Sequence, residues 1–162
     1  MRRKSINILS FLMLAFMLCM TSCKNVKDIK VTSVQVEALS PRGFKSMDIY
    51  VNVGVDNPAK QVKVSEIEGD ILRSGKVIGK LAVDPFTLIA KSHEVYSLKA
   101  NVALAQGAGI KELMVLASPG GLDDCTIDLT AKAAYGKGAM MPLKFNDIPL
   151  KELLDKLENE QN

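Results

Sequence analysis

Apolar and polar residues alternate along most of this chain beyond its N-terminal segment, and this alternation limits the fold more than any other feature. In residues 47–55, Ile49, Val51, Val53 and Val55 share one side, and mostly polar residues lie between them. Successive side chains of a β-strand point to opposite faces, so the pattern is typical of a strand with one buried face. We therefore expect sheet packed around a shared apolar core.

Further segments alternate in the same way, and turn-forming residues separate them. They are residues 29–38, 62–72, 76–86, 94–104, 126–135 and 140–145. Ser74-Gly75 supplies the turn of a hairpin between two of them. Gly69 and Gly79 predict bulges or close backbone approach inside strands, and a shift of the alternation near Ser33 predicts a bulge.

Two segments change to helical spacing. In residues 109–116 and just beyond, the apolar positions are Ile110, Leu113, Met114 and Ala117. A C-terminal segment, which could start near Asp147, carries a leucine stripe made of Leu150, Leu153, Leu154 and Leu157. The stripe has two interpretations: it packs on an open end or edge of the sheet, or it forms a surface for a ligand, a partner or the membrane.

These elements predict an all-β fold. Seven or so strands joined mostly by short turns favour a two-sheet antiparallel sandwich, with one short internal helix and a C-terminal amphipathic helix. We expect one domain over residues 29–150, followed by a helix and tail over residues 151–162.

The N-terminal residues have the features of a lipoprotein signal. A basic start, Arg2-Arg3-Lys4, precedes an apolar stretch from Ile6 to Met20 that is too short to span a bilayer as a stable helix. Met20-Thr21-Ser22-Cys23 then resembles the bacterial lipobox, in which the cysteine is acylated and the preceding segment is removed. The alternatives are an uncleaved anchor and an ordinary secretory signal.

The lipobox resemblance divides the N-terminal region at Cys23. Residues 1–22 would be the cleaved signal, with cleavage between Ser22 and Cys23, and residues 23–28 would be a short lipidated linker. Because extended chain covers about 3.5 Å per residue, the linker would hold the domain within roughly 20 Å of the membrane.

Charge excludes a nucleic-acid partner. The signal contains three of the 21 basic residues and none of the 18 acidic ones, so the mature chain is formally neutral. Nucleic-acid binding needs clustered cations that displace counterions, and the sequence shows no basic stripe interleaved with aromatic residues.

The chemistry-bearing residues do not form a recognisable catalytic or metal-binding set. Cys125 shares strand parity with apolar neighbours and is expected to be buried, and His93 is expected at the surface where a strand starts. Asp123-Asp124 lacks the spaced oxygen ligands that calcium requires. Alternating acids in residues 66–70 are typical of a solvated sheet face, and residues 107–109 lack the lysine of a phosphate loop. We expect no cofactor, no metal and no enzymatic activity, although an enzyme of unrecognised type stays open.

The order of segments resembles the late embryogenesis abundant type 2 domain, also called the water stress and hypersensitive response domain. The motif that carries the resemblance best is residues 50–58, an alternating strand that ends in Asn57-Pro58. The Gly-containing hairpin of residues 71–79 and the later strands follow in the same order. The resemblance implies a sandwich related to immunoglobulin and fibronectin III folds, without a catalytic site, in which Asn57 and Pro58 shape a turn.

These features together lead to two functional expectations. The first is a non-enzymatic, lipid-anchored envelope protein that binds or protects other envelope components, with stress protection implied only by the resemblance. Lys24 after Cys23 resembles the arrangement that permits transfer to the outer membrane, and we expect the periplasmic side. The second is a carrier that binds an apolar ligand, such as a lipid, between the sheets or under the C-terminal helix. Partners would be the membrane, through Cys23, and an envelope protein or lipid.

Overall fold

Eight strands and one helix arise from these segments in the computed structural model, which describes residues 28–118 and 120–152. The elements are β1 (Lys30–Arg42), β2 (Ser46–Asn57), β3 (Val62–Arg73), β4 (Lys76–Val83), β5 (Phe86–Leu88), β6 (Ser92–Leu104), α1 (Ile110–Ala117), β7 (Cys125–Tyr135) and β8 (Met141–Pro149). Residues 150–152 are helical.

All strand pairs are antiparallel, and their order is β1-β2-β6-β4-β3-β7-β8, with β5 added to β3. A short ladder between β4 and β6, from Gly79 opposite Leu104 to Val83 opposite Ala100, links the two halves. The buried faces of both halves contribute to one apolar core. The all-β sandwich is therefore confirmed, with eight strands in the described residues, and its two layers are joined through this ladder.

Alternation in the sequence predicts the core correctly. Val51, Val53 and Val55 of β2 are fully buried, and so are Ile127 and Leu129 of β7. Burying one such aliphatic side chain contributes about 1.5–3 kcal/mol to folding. The core therefore combines side chains of β2 and β7, which are distant in the chain.

Gly69 and Gly79 sit where the backbone approaches other side chains, as their positions inside strands predict. A Cβ at Gly69 would lie 3.0 Å from Cδ1 of Ile127 and 3.2 Å from Cδ1 of Leu129. At Gly79 it would lie 3.2 Å from Cδ1 of Leu116 on α1. The contact at Gly69 shows that the β3–β7 region of the core is tightly packed.

Local irregularities redirect several strands. The bulge predicted near Ser33 is confirmed, since the β1–β2 register shifts between Val31 and Ser33. A further shift in β3 between Ser65 and Glu68, with Glu66 at φ 51°, changes the inward-facing parity from even to odd residue numbers. An extra residue in one strand produces this change. The hairpin turn at Ser74-Gly75 is also confirmed, because both residues have positive φ as a type I′ turn requires.

Two predicted boundaries are wrong. β1 continues through Pro41 and Arg42, beyond the predicted strand end at residue 38. The segment 76–86 divides at Asp84-Pro85, a dipeptide whose proline marks a break or an edge position, and the chain then forms β5 against the first part of β3. β8 extends to Pro149, because the N–H of Asp147 donates to the Asp128 carboxylate at 2.7 Å and the chain resumes pairing beyond it. The final helix therefore starts at residue 150 and not near Asp147.

The two ends of the sandwich differ in their elements. One end, here called the base, holds the start of β1 and the loops 58–61, 89–91 and 136–140. The opposite end, here called the helix end, holds the loop 43–45, the β3–β4 turn, α1 and the start of the final helix. The chain enters the domain at the base.

Candidate functional site

Asn57 is a fully buried polar residue that ties two loops of the base together. Its Nδ2 donates to the carbonyl oxygen of Lys60 at 3.1 Å and to that of Ile89 at 2.8 Å. Its Oδ1 accepts the N–H of Ala59 at 3.0 Å. Asn57 therefore shapes the turn at Pro58, as the resemblance implies, and also anchors the β5–β6 loop.

Replacing Asn57 by alanine is expected to lower the free energy of unfolding by about 2–3 kcal/mol, because partly buried backbone groups lose their partners. Chemical denaturation of the wild type and the variant measures this loss. Asn52→Ala is the matched control, since Asn52 accepts only an exposed hydrogen bond from Ser97 at 2.7 Å. A loss at Asn57 no larger than that of the control would contradict the anchoring role.

Asp48 is the second buried polar residue, and it lies among cations and an amide. Its carboxylate pairs with the Arg42 guanidinium, accepts from Asn101 Nδ2 at 2.8 Å and lies 3.5 Å from Lys99 Nζ. The Asn101 hydrogen bond is the largest influence that lowers the pKa of Asp48, and Arg42 and Lys99 add to it. Asp48 thus joins β1, β2 and β6 by charge-assisted bonds.

Stability is expected to depend on the charge of Asp48. Because its pKa is lower in the folded protein than in the unfolded chain, the carboxylate stabilises the fold above about pH 4 and loses this effect as pH falls through the folded pKa. Asp48→Asn should lower the melting temperature by several degrees at pH 7, and the difference from wild type should shrink at pH 3. Thermal melts at both pH values test this expectation.

Asp70→Asn serves as the control for this experiment. Asp70 makes an exposed ion pair with Lys80 at 3.0 Å, and exposed pairs contribute at most about 1 kcal/mol. A difference between wild type and Asp48→Asn that stays constant with pH would contradict the role assigned to the Asp48 charge.

A groove of about 310 Å³ lies between α1 and the β3–β4 hairpin. It is lined by Arg73, Ser74, Lys76, Ile78, Lys111, Glu112 and Val115. Glu112 accepts the N–H of Gly109 at 2.8 Å, which is the main reason that its pKa is lowered, and it lies 3.6 Å from Lys76 Nζ. Apolar side chains beside cations suit a small amphipathic anion, and the volume is at the lower end for small-molecule sites.

The predicted helix α1 is confirmed, and its apolar stripe lies on its exposed side. Ile110 is 77% exposed, Met114 66% and Leu113 37%. Val115 and Leu116 are the residues that pack against the core instead. The helix end therefore carries an apolar surface as well as the groove.

Cys125 and His93 lie where the sequence predicts. Cys125 is 2% exposed, and burial raises the pKa of its thiol, so the thiolate that reacts with oxidants or metals is disfavoured. His93 is exposed near the start of β6, with Nδ1 3.9 Å from the Asp56 carboxylate.

The acids of β3 form a solvated face, as predicted. Glu66 pairs with Lys132 at 2.6 Å, and Asp70 pairs with Lys80. Within residues 28–118 and 120–152, no three potential metal-ligating side chains lie together. No helix in the same part of the chain is long and apolar enough to cross a bilayer.

Several proposed site residues fall outside the described chain. Ser22 and Cys23 precede it, and Leu153, Leu154 and Leu157 follow it. Leu150 is described, is 1% exposed and belongs to the core. The first leucine of the stripe thus packs inside the domain.

Sequence reasoning missed the buried state of Asp48 and Asn57. Asp48 falls on the polar side of β2, where alternation gives no sign of the covering side chains. Asn57 carried one signal, its place before Pro58, which marks a turn. The partners of Asp48 come from β1 and β6, so only the strand pairing reveals them.

Comparisons with known proteins give distant structural likeness. No protein-family model matches the chain, and no curated protein matches it. A solved protein from Archaeoglobus fulgidus is similar at 15% identity and a TM-score of 0.45, covering 72% of this chain and 91% of its own. The GAE domain of yeast GGA1 is similar at 13% identity and a TM-score of 0.31, covering 73% of this chain and 95% of its own. Neither likeness assigns the chain to a family.

Proposed function

We propose that this chain is a non-enzymatic, lipid-anchored protein of the bacterial cell envelope whose sandwich acts as a binding or protective module. One observation carries the proposal: the lipobox-like sequence ending at Cys23 stands seven residues before the first strand, which starts at Lys30. An acylated Cys23 would hold the sandwich directly beside a membrane.

The chemistry of the anchor favours permanent attachment. Each buried methylene contributes about 0.8 kcal/mol, and a cysteine that carries several acyl chains exceeds what reversible binding by one chain provides. Lys24 supports an outer-membrane destination, with the domain on the periplasmic side.

The pairing of ionisable side chains and the exposure of apolar ones support a module that binds other molecules and does not catalyse a reaction. The ionisable side chains with the best-defined partners, Asp48, Glu66 and Asp70, are held in contacts between strands. Exposed apolar side chains of α1 offer a surface that can bury area against another molecule. The resemblance to the late embryogenesis abundant type 2 domain adds the proposal of a protective role.

Fractionation of bacterial cells tests the proposal. We expect the protein in the outer-membrane fraction, resistant to extraction by salt and released by detergent. Protease added to intact cells should leave the domain whole, and protease added after the outer membrane is opened should reach it. Recovery as a free soluble protein would contradict the lipid anchor, and digestion in intact cells would contradict the periplasmic side.

The groove beside α1 favours a second candidate, a carrier of a small amphipathic anion such as a fatty acid. Native mass spectrometry of the mature protein should then show a bound apolar mass. Val115→Phe, which would fill the groove, should abolish binding of a fluorescent fatty acid, and Leu113→Phe on the exposed side should preserve it. A clean mass together with no fatty-acid binding would contradict the carrier.

A further inference from the structure

The loops at the base of the sandwich are basic and contain no acidic residue, whereas the loops of the helix end combine lysine with Asp123 and Asp124. Each of the three basal loops, 58–61, 89–91 and 136–140, contains one lysine and no acidic residue. These basal lysines, Lys60, Lys91 and Lys137, are all exposed. Two apolar side chains in the same loops are also exposed, Ile89 at 53% and Met140 at 42%.

Backbone hydrogen bonds hold the three loops together as one platform. The N–H of Lys91 donates to the carbonyl of Ala59 at 3.0 Å, and the N–H of Gly136 donates to that of Gln61 at 2.7 Å. Asn57, buried beneath the platform, donates to the carbonyl of Ile89. The basal lysines therefore come from distant parts of the chain but belong to adjoining loops.

Acidic groups near the base lie on the strands and just before β1. Asp56 and Glu94 lie on β2 and β6, with His93 close to Asp56, and Asp28 precedes β1. At the helix end the loop 120–124 contains Asp123 and Asp124. An anionic surface would attract the basal loops and repel that loop of the helix end.

The length of the linker also favours the base as the end that faces the membrane. Four residues lie between Cys23 and Asp28, so the extended chain reaches about 18 Å from one Cα atom to the other. β1 rises from Lys30 at the base to Arg42 near the helix end, which places the two ends about 40 Å apart. An upright domain tethered at Cys23 therefore presents its base to the membrane, and the helix end lies beyond the linker's reach.

We propose that the basal loops rest on the phospholipid headgroups of the leaflet that holds the Cys23 lipid, an inference that depends on the proposed anchor. The three basal lysines lie against headgroup phosphates, and Ile89 and Met140 insert between the headgroups. Lysine stems and exposed apolar side chains can share such an interface because the charged tips stay in water. The helix end then faces away from the membrane.

Fluorescence quenching in vesicles tests this orientation. The acylated protein is placed in vesicles of phosphatidylethanolamine and phosphatidylglycerol that contain a headgroup spin label. A single fluorophore is attached through Ala139→Cys at the base or through Phe44→Cys at the helix end, where Phe44 is 92% exposed. Buried Cys125 should react slowly with the dye. We expect several-fold stronger quenching at position 139 than at position 44.

Reversing the charge of the basal lysines distinguishes their contact with headgroups from the effect of the lipid tether alone. Changing the three basal lysines to glutamate should reduce quenching at position 139, while the acyl anchor keeps the protein on the vesicle. The matched control changes Lys45, Lys76 and Lys111 at the helix end to glutamate. It should leave quenching at position 139 unchanged. Melting curves of both variants confirm that they fold.

Each other outcome has a definite meaning. Equal quenching at the two positions, or stronger quenching at position 44, overturns the orientation and leaves the lipid anchor standing. Quenching that is insensitive to reversal of the basal lysines overturns their contact with headgroups. An absence of acyl mass on the purified protein overturns both the anchor and the inference that depends on it.

Discussion

Replacing Cys23 by serine is expected to abolish incorporation of a labelled fatty acid into this protein. The hydroxyl cannot replace the thiol that accepts the lipid in the lipobox reaction, and the sequence before Cys23 would lose its processing signal. Cells grown with a clickable palmitate analogue provide the measurement, after the protein is isolated and the label is detected on a gel. The expected change is a complete loss of signal.

Cys19→Ser is the matched control, because Cys19 lies four residues earlier, inside the segment that the proposal removes. It should leave labelling intact. Labelling that survives Cys23→Ser and disappears with Cys19→Ser would place the lipid on the wrong side of the proposed cleavage. Such a result would also lengthen the tether before Asp28 by four residues and remove the linker-length argument for the orientation inferred above.

Leu129→Ala is expected to lower the free energy of unfolding by about 3–5 kcal/mol. Leu129 is fully buried, and the side of β3 that it meets carries Gly69, which has no side chain to refill the space. The cavity would therefore persist. Because domains of this size are stable by only about 5–15 kcal/mol, the variant should lose a large part of its stability.

Urea denaturation of the mature domain measures this loss, with Val95→Ala as the control. Val95 lies on β6 and is 65% exposed, so its truncation should change the free energy of unfolding by less than about 0.5 kcal/mol. Similar losses in the two variants would contradict the tightly packed β3–β7 core. A hollow interior that accommodates ligand at this place would then become the better interpretation.

Local alternation was sufficient to predict the central strands and their buried faces. The buried apolar residues of β2 and of β6 each share one parity, and those of β7 do so except Ala134, so the pattern in the sequence and the burial in the structure agree there. The Ser74-Gly75 turn could be predicted equally well, because two-residue hairpin loops need residues that accept positive φ. In these segments the local preference and the tertiary fold require the same conformation.

Other features depend on contacts that a single segment cannot reveal. β8 passes Asp147 because Asp128 on the neighbouring strand accepts its N–H. Asp48 is buried by side chains of β1 and β6. Which side of α1 is buried depends on the contact between Leu116 and Gly79. The platform of basal loops likewise appears only after strand pairing brings three distant lysines to one end.

Intact-mass measurement of the protein purified from bacterial membranes tests the central claim most directly. The account predicts the mass of residues 23–162 increased by the acyl and glyceryl groups of a lipidated N-terminal cysteine. A mass equal to residues 1–162, or to a cleaved chain without acyl groups, would contradict the lipid anchor and the envelope role that rests on it.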